Sequence, residues 1–185
     1  MSGHKYKLMS LIVAIAVLAM STELLTQGAP VAYAIPCGTN CENVTNSPAV
    51  ALTLDGTDQM VSYTLTFSLN NLSVLGWNVT ITSTQFKTGT TPTRTLSMTA
   101  SSVMGVTAVC TGGQICTTMP QNAVTYPVTV PADNPAPTAV KFYNASAVSG
   151  VGTFDLSTTI KITLPANAYA GIYTSTITLA YISGP

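Results

Sequence analysis

The chain has 185 residues, six of them basic, six acidic and one histidine, for a formal net charge of zero. That balance leaves no basic patch to hold nucleic-acid phosphates and no basic amphipathic helix to lie on a membrane. Past residue 34 there is no histidine, and charge is confined to Lys87, Arg94, Lys141 and Lys161 against Glu42, Asp55, Asp58, Asp133 and Asp155, so proton-transfer catalysis near neutral pH has few groups to use.

The N-terminus reads as an export signal. Lys5 and Lys7 precede an apolar run over 8–20 broken only by Ser10, and a polar stretch then leads to Ala32-Tyr33-Ala34, the small-x-small pattern accepted by signal peptidase. The run is shorter than the roughly 20 residues needed to cross a bilayer, and Glu23 interrupts any extension. Residues 1–34, with His4, are therefore expected to be a signal peptide, and cleavage after Ala34 leaves a chain beginning at Ile35. Pro36 stands before Cys37, where a lipid-modified cysteine would follow a small residue. No second hydrophobic span follows, so the mature protein is expected to lack a transmembrane segment. Ser183-Gly184-Pro185 carries no covalent wall-sorting signal. Residues 35–48 read as an extended arm without an obvious partner in the domain. Residues 49–185 suit one domain, since about 150 residues bury a single core.

Cys37, Cys41, Cys110 and Cys116 remain after processing. An even number in an exported chain implies two disulfides, for which three pairings exist. The short intervening loops favour Cys37–Cys41 and Cys110–Cys116. The spacings are not those of a paired CxxC zinc site, so no metal and no cofactor is expected.

From Val61 onward the dominant rhythm has period two. Val61, Tyr63, Leu65, Phe67 and Leu69 alternate with serine and threonine, which in a strand sorts an apolar face from a hydroxyl face. The pattern recurs over 77–82, 124–130, 156–164 and 173–181, and more weakly over 50–54, 95–99, 103–109 and 139–143. Turn chemistry separates the runs. Asp55-Gly56 suits a hairpin, and the proline-rich stretch 131–137 suits a stiff connection. No segment beyond the signal has helical periodicity. Eight or nine short strands at this spacing predict an all-β fold, a single antiparallel sandwich of immunoglobulin-like or jelly-roll-like design.

Few residues stand out as sites. Asp55 and Asp58 lack a third acidic ligand and a following glutamate, so they read as turn residues rather than a calcium loop. Lys161 alternates outward with Thr159 and Thr163, against a buried isopeptide link, and no serine or threonine has a base to activate it. Trp77 begins a strand on its apolar face, where tryptophan is usually core. Asn43, Asn71, Asn78 and Asn144 head Asn-x-Ser/Thr sequons. A chain this rich in Asn, Ser and Thr produces such sequons by chance, but Asn78 should face outward by the alternation and be accessible to glycosylation.

Two stretches carry a family resemblance. Gly76-Trp77-Asn78-Val79-Thr80-Ile81-Thr82, followed by Gln85-Phe86, resembles the Gly-Trp-x-Val strand of WxL-type cell-surface domains. Gly152-Thr153-Phe154 and Leu164-Pro165-Ala166-Asn167-Ala168-Tyr169-Ala170-Gly171-Ile172-Tyr173 resemble their closing strands. The Trp-x-Leu signatures are not intact, since Asn78-Val79 follows Trp77 and Tyr181 stands where a second tryptophan is expected. The resemblance implies an exported, non-enzymatic cell-surface protein, structural or adhesive, held non-covalently to a cell-envelope polymer, with Trp77 as the wall-binding position. A second resemblance, in design, is to TasA-like and archaeal thread filament subunits. It implies that copies of the chain are partners and that the N-terminal arm is donated to a neighbour's sheet.

Overall fold

The computed structural model describes residues 10–18, 41–45, 50–89, 91–111 and 116–184. Among these residues there is no helix, and twelve strands form two sheets. In chain order the strands are β1 (Ser10–Leu18), β2 (Cys41–Thr45), β3 (Val50–Thr53), β4 (Gln59–Asn71), β5 (Trp77–Thr84) and β6 (Lys87–Thr88). They continue with β7 (Ser101–Cys110), β8 (Val128–Thr129), β9 (Ala132–Asp133), β10 (Val140–Ala145), β11 (Gly152–Leu164) and β12 (Gly171–Ser183). One sheet runs β10-β5-β12-β1-β3, with β6 beside β12 and β9 beside β5; the other runs β2-β4-β11-β7-β8. The protein is an all-β sandwich, antiparallel except where β1 meets β3 and β5 meets β9.

The second sheet is built on β4 and β11. They pair without interruption from Gln59 opposite Leu164 to Asn71 opposite Gly152. Period-two patterning sends Val61, Tyr63, Leu65, Phe67 and Leu69 inward, with Phe154, Leu156, Ile160, Ile162 and Leu164 from β11. Trp77, Val79, Ile81, Phe142, Tyr173, Ile177 and Leu179 enter the core from the first sheet. Each buried large apolar side chain contributes about 1.5–3 kcal/mol relative to an exposed one, and this common core holds the two sheets together. Ser62, Thr64, Thr159 and Thr163 lie on the exposed face.

The structure corrects several expectations. Asp55-Gly56 does form a tight turn, with Gly56 at φ 81°, but it is not a hairpin. It carries the chain from β3 in one sheet to β4 in the other. Only Val128 and Thr129 of the expected 124–130 strand pair in a ladder. Pro127 has no N–H to offer, and the Tyr126 hydroxyl instead donates to the Phe142 carbonyl at 2.8 Å. Residues 95–99 make one isolated bridge, Thr95 to Lys87, and no strand. The arm is not without a partner: Cys41–Thr45 pairs with β4, and the hydroxyls of Thr45 and Thr66 are hydrogen-bonded.

Candidate functional site

The first sheet is completed by a segment from the predicted leader. Ser10–Leu18 lies between β12 and β3 and pairs with both. Against β12 the pairing is antiparallel over eight consecutive positions, Ser10 opposite Thr178 through Val17 opposite Gly171. Against β3 it is parallel, Ile15 beside Val50 through Leu18 beside Thr53. Leu11, Val13, Ile15 and Val17 therefore stand at the register positions of Ile177, Ser175, Tyr173 and Gly171, of which Ile177, Ser175 and Tyr173 are buried. Alternation of large apolar residues in the sequence thus coincides with the core-facing positions of the neighbouring strand. The ladder exists because β12 is longer than its other neighbours: β5 takes 177–183 and β6 takes 173–174 on one side, and β1 takes 171–178 on the other.

Trp77 lies elsewhere, at the opposite flank of β12, and is fully buried with 0% exposure. Its indole N–H donates to the Gly150 carbonyl at 2.9 Å, and its ring packs against Tyr143 and Tyr181 at centroid distances of 5.7 and 6.5 Å. The same carbonyl accepts from Asn71 Nδ2 at 3.0 Å, while Asn71 Oδ1 accepts from the Tyr181 hydroxyl at 3.0 Å. Gly150 sits at φ 62°, and a Cβ there would lie 2.6 Å from Ala145 Cβ and 2.8 Å from Trp77 Nε1. Trp77 is thus the centre of a closed corner and presents no face to an envelope polymer. The wall-binding role implied by the family resemblance does not fit this side chain's position.

Three of the four sequon asparagines are also folded away. Asn71 is 1% exposed and held by the corner just described. Asn78, expected outward, is buried: its Nδ2 donates to the Gly184 carbonyl at 2.6 Å, and the chain end lies over it. β5 is covered on both faces, which simple alternation does not anticipate. Asn144 is buried, and its Oδ1 accepts from the Ala123 N–H at 2.9 Å. Asn43 belongs to β2, and only its backbone is described.

Cys110 and Cys116 form the expected local disulfide, with Cα atoms 6.0 Å apart. Cys37 lies outside the described residues, and Cys41 opens β2. Asp55 accepts from the Thr57 N–H and hydroxyl at 2.9 and 2.7 Å, and these bonds hold its carboxyl below its ordinary value. Asp58 accepts from the Ala166 N–H at 2.7 Å. Asp55 fixes its own turn, whereas Asp58 ties that turn to the distant segment following β11. No cluster of three metal-ligating side chains occurs among the described residues. Lys141 is exposed and Lys161 half-buried. A shallow hollow beside β12 brings together Arg94, Asn167, Tyr169 and Tyr173. The Arg94 guanidinium lies 3.8 Å over the Tyr169 ring, and Tyr173 donates to the Tyr169 carbonyl at 3.0 Å. Burial pushes the phenols of Tyr63, Tyr143, Tyr173 and Tyr181 up, and Tyr126 to about 12.

No helix among the described residues is long and apolar enough to cross a membrane. Comparison with family models, with curated proteins and with solved structures finds no match.

Proposed function

We propose that this chain is an exported, non-enzymatic structural protein of the cell surface that assembles with copies of itself by strand complementation. One observation carries the reading. The segment expected to be removed on export, Ser10–Leu18, is an internal strand of the first sheet, paired along both edges. A sandwich that loses an internal strand exposes backbone donors and acceptors together with core side chains, and these recruit another strand. The sparse charge and the serine- and threonine-lined outer face of β4 and β11 suit close packing of subunits. The absence of histidine past residue 34 leaves no obvious proton-transfer group. Self-assembly takes the place of envelope binding through Trp77, because that side chain is enclosed.

Electron microscopy and light scattering of the chain beginning at Ile35, beside the full chain, test the reading. Ordered, concentration-dependent assemblies of the shorter chain are expected. A folded shorter chain that stays monomeric at every concentration, or that sediments with isolated cell walls as a monomer, would overturn it.

A further inference from the structure

We infer that the channel between β12 and β3 is a strand-acceptor site, plugged by Ser10–Leu18 in the full chain and filled after its removal by β3 of a second copy. The inference rests on the assembly reading above and names the surface through which assembly occurs.

The plug defines what the site accepts. An occupant must run antiparallel to β12 and offer large apolar residues at alternate positions, as Leu11, Val13, Ile15 and Val17 do opposite Ile177, Ser175, Tyr173 and Gly171. The rest of the chain repeats that pattern in a strand of the right polarity. Val50-Ala51-Leu52-Thr53-Leu54 matches Val13-Ala14-Ile15-Ala16-Val17 as large-small-large-small-large. β3 is parallel to β1, and among the described residues β1 is its only ladder partner. Removal of the plug therefore leaves at once an acceptor without a strand and a strand without a sheet.

Closure within one copy falls short. β3 lies level with only one end of the site: Val50 and Tyr173 both face Ile15, and Leu52 and Gly171 both face Val17. A sideways move of β3 would cover 171–173 and leave 174–178 open, with Ile177 on the core side. The tether before β3 limits how far β3 can slide along that edge. Thr45 is fixed to Thr66 in the other sheet, five residues before Val50, and Pro48 lies between them without an N–H to give. The β3 of a second copy has no such tether to the acceptor. It can shift along β12 so that Val50, Leu52 and Leu54 take the places of Leu11, Val13 and Ile15, opposite the buried Ile177, Ser175 and Tyr173. Exchange of an identical element between protomers is a low-cost route to association.

The test uses the full chain with the plug disabled in place, as Val13→Asp with Ile15→Asp. Size-exclusion chromatography with light scattering follows the oligomer, and a labelled Ser10–Leu18 peptide with a solubilising lysine tail serves as the probe. The unmodified full chain is expected to be monomeric and to ignore the peptide. The double variant should associate, bind one peptide per chain, and return to monomer as peptide is added. Adding Leu52→Asp should weaken association by about tenfold or more and peptide binding by less, because Leu52 is central to the donor strand but borders the peptide only beside Val17, while the β12 wall of the site is untouched. Association that peptide does not reverse would place assembly on another surface, overturning this site and leaving the proposed function standing. Peptide binding without association would overturn both the second-copy occupant and the assembly reading. A double variant that stays monomeric and binds no peptide would show that Ser10–Leu18 is no plug.

Discussion

The two flanks of β12 are closed by different means. At the Trp77 corner, closure comes from side chains within the sandwich: Trp77 and Asn71 both donate to Gly150, Tyr181 donates to Asn71, and glycine at 150 leaves room for the indole. On the other flank, closure comes from nine residues that the sequence reads as a removable leader. The first flank is closed by its own residues. The second has a ladder of eight residues whose partner is joined to the body only through residues 19–40. A protein with almost no reactive side chains can still carry a specific binding function in the unpaired edge of a sheet.

Substitutions that break the closed corner should have the largest effect. Trp77→Ala is expected to cost about 3–5 kcal/mol, since it empties a fully buried indole site, and urea unfolding measures it. Gly150→Val should cost about 2–3 kcal/mol, because it places a β-branched residue at φ 62° and drives Cβ into Ala145 and Trp77. An equal loss from either change in the β12–β1 pairing alone, with the corner intact, would remove the contrast. Opening the Cys110–Cys116 loop with paired serines should cost about 2 kcal/mol or less, since the closed loop is short.

Alkali sharpens the comparison further, because Tyr126, Tyr143 and Tyr181 gather around the corner while Tyr173 lines β12. Each has a raised folded pKa, so the unfolded chain loses its phenol proton first. Stability is full below the ordinary value of 10.0 and falls as pH rises toward about 12, the value of Tyr126. Near-ultraviolet circular dichroism against pH should show a cooperative loss in that window. Asp55 works in the opposite sense and weakly: its depressed value gives stability above 3.8 that is lost as pH falls through the lower folded value. Asp55→Asn should shift acid stability only slightly. The smallest effect is expected from Asn78→Gln. Expressed in a glycosylating host, the substitution should leave the mass of attached glycan unchanged, because Asn78 is enclosed in the fold.

The long strands were legible because one face of each is core and the other is solvent. β4 and β11 alternate without a fault across thirteen residues each. β5 was harder. Pro131 and Pro137 carbonyls accept from Thr82 on one side, and the chain end covers Asn78, so alternate residues read as outward are buried too. Turn chemistry at Asp55-Gly56 was visible, but which sheets it joins depends on partners far away in sequence. Ser10–Leu18 shows the deepest ambiguity. An apolar run of this length satisfies a leader and an internal strand equally, and periodicity does not separate them. The acceptor could have been sought by asking what the 171–178 half of β12 pairs with. No local signal answers that question, since sheet order is set by contacts distant along the chain.

Hydrogen exchange of the β12 amides, followed by mass spectrometry, tests the central claim most directly. The amides of 171–178 that pair with Ser10–Leu18 should be protected in the full chain, exchange rapidly in the dilute chain beginning at Ile35, and regain protection in its assemblies. Peptides covering 71–77 and 145–152 should stay protected throughout. Unchanged protection of 171–178 in the dilute shorter chain would contradict the account, because the sheet would then be complete without Ser10–Leu18.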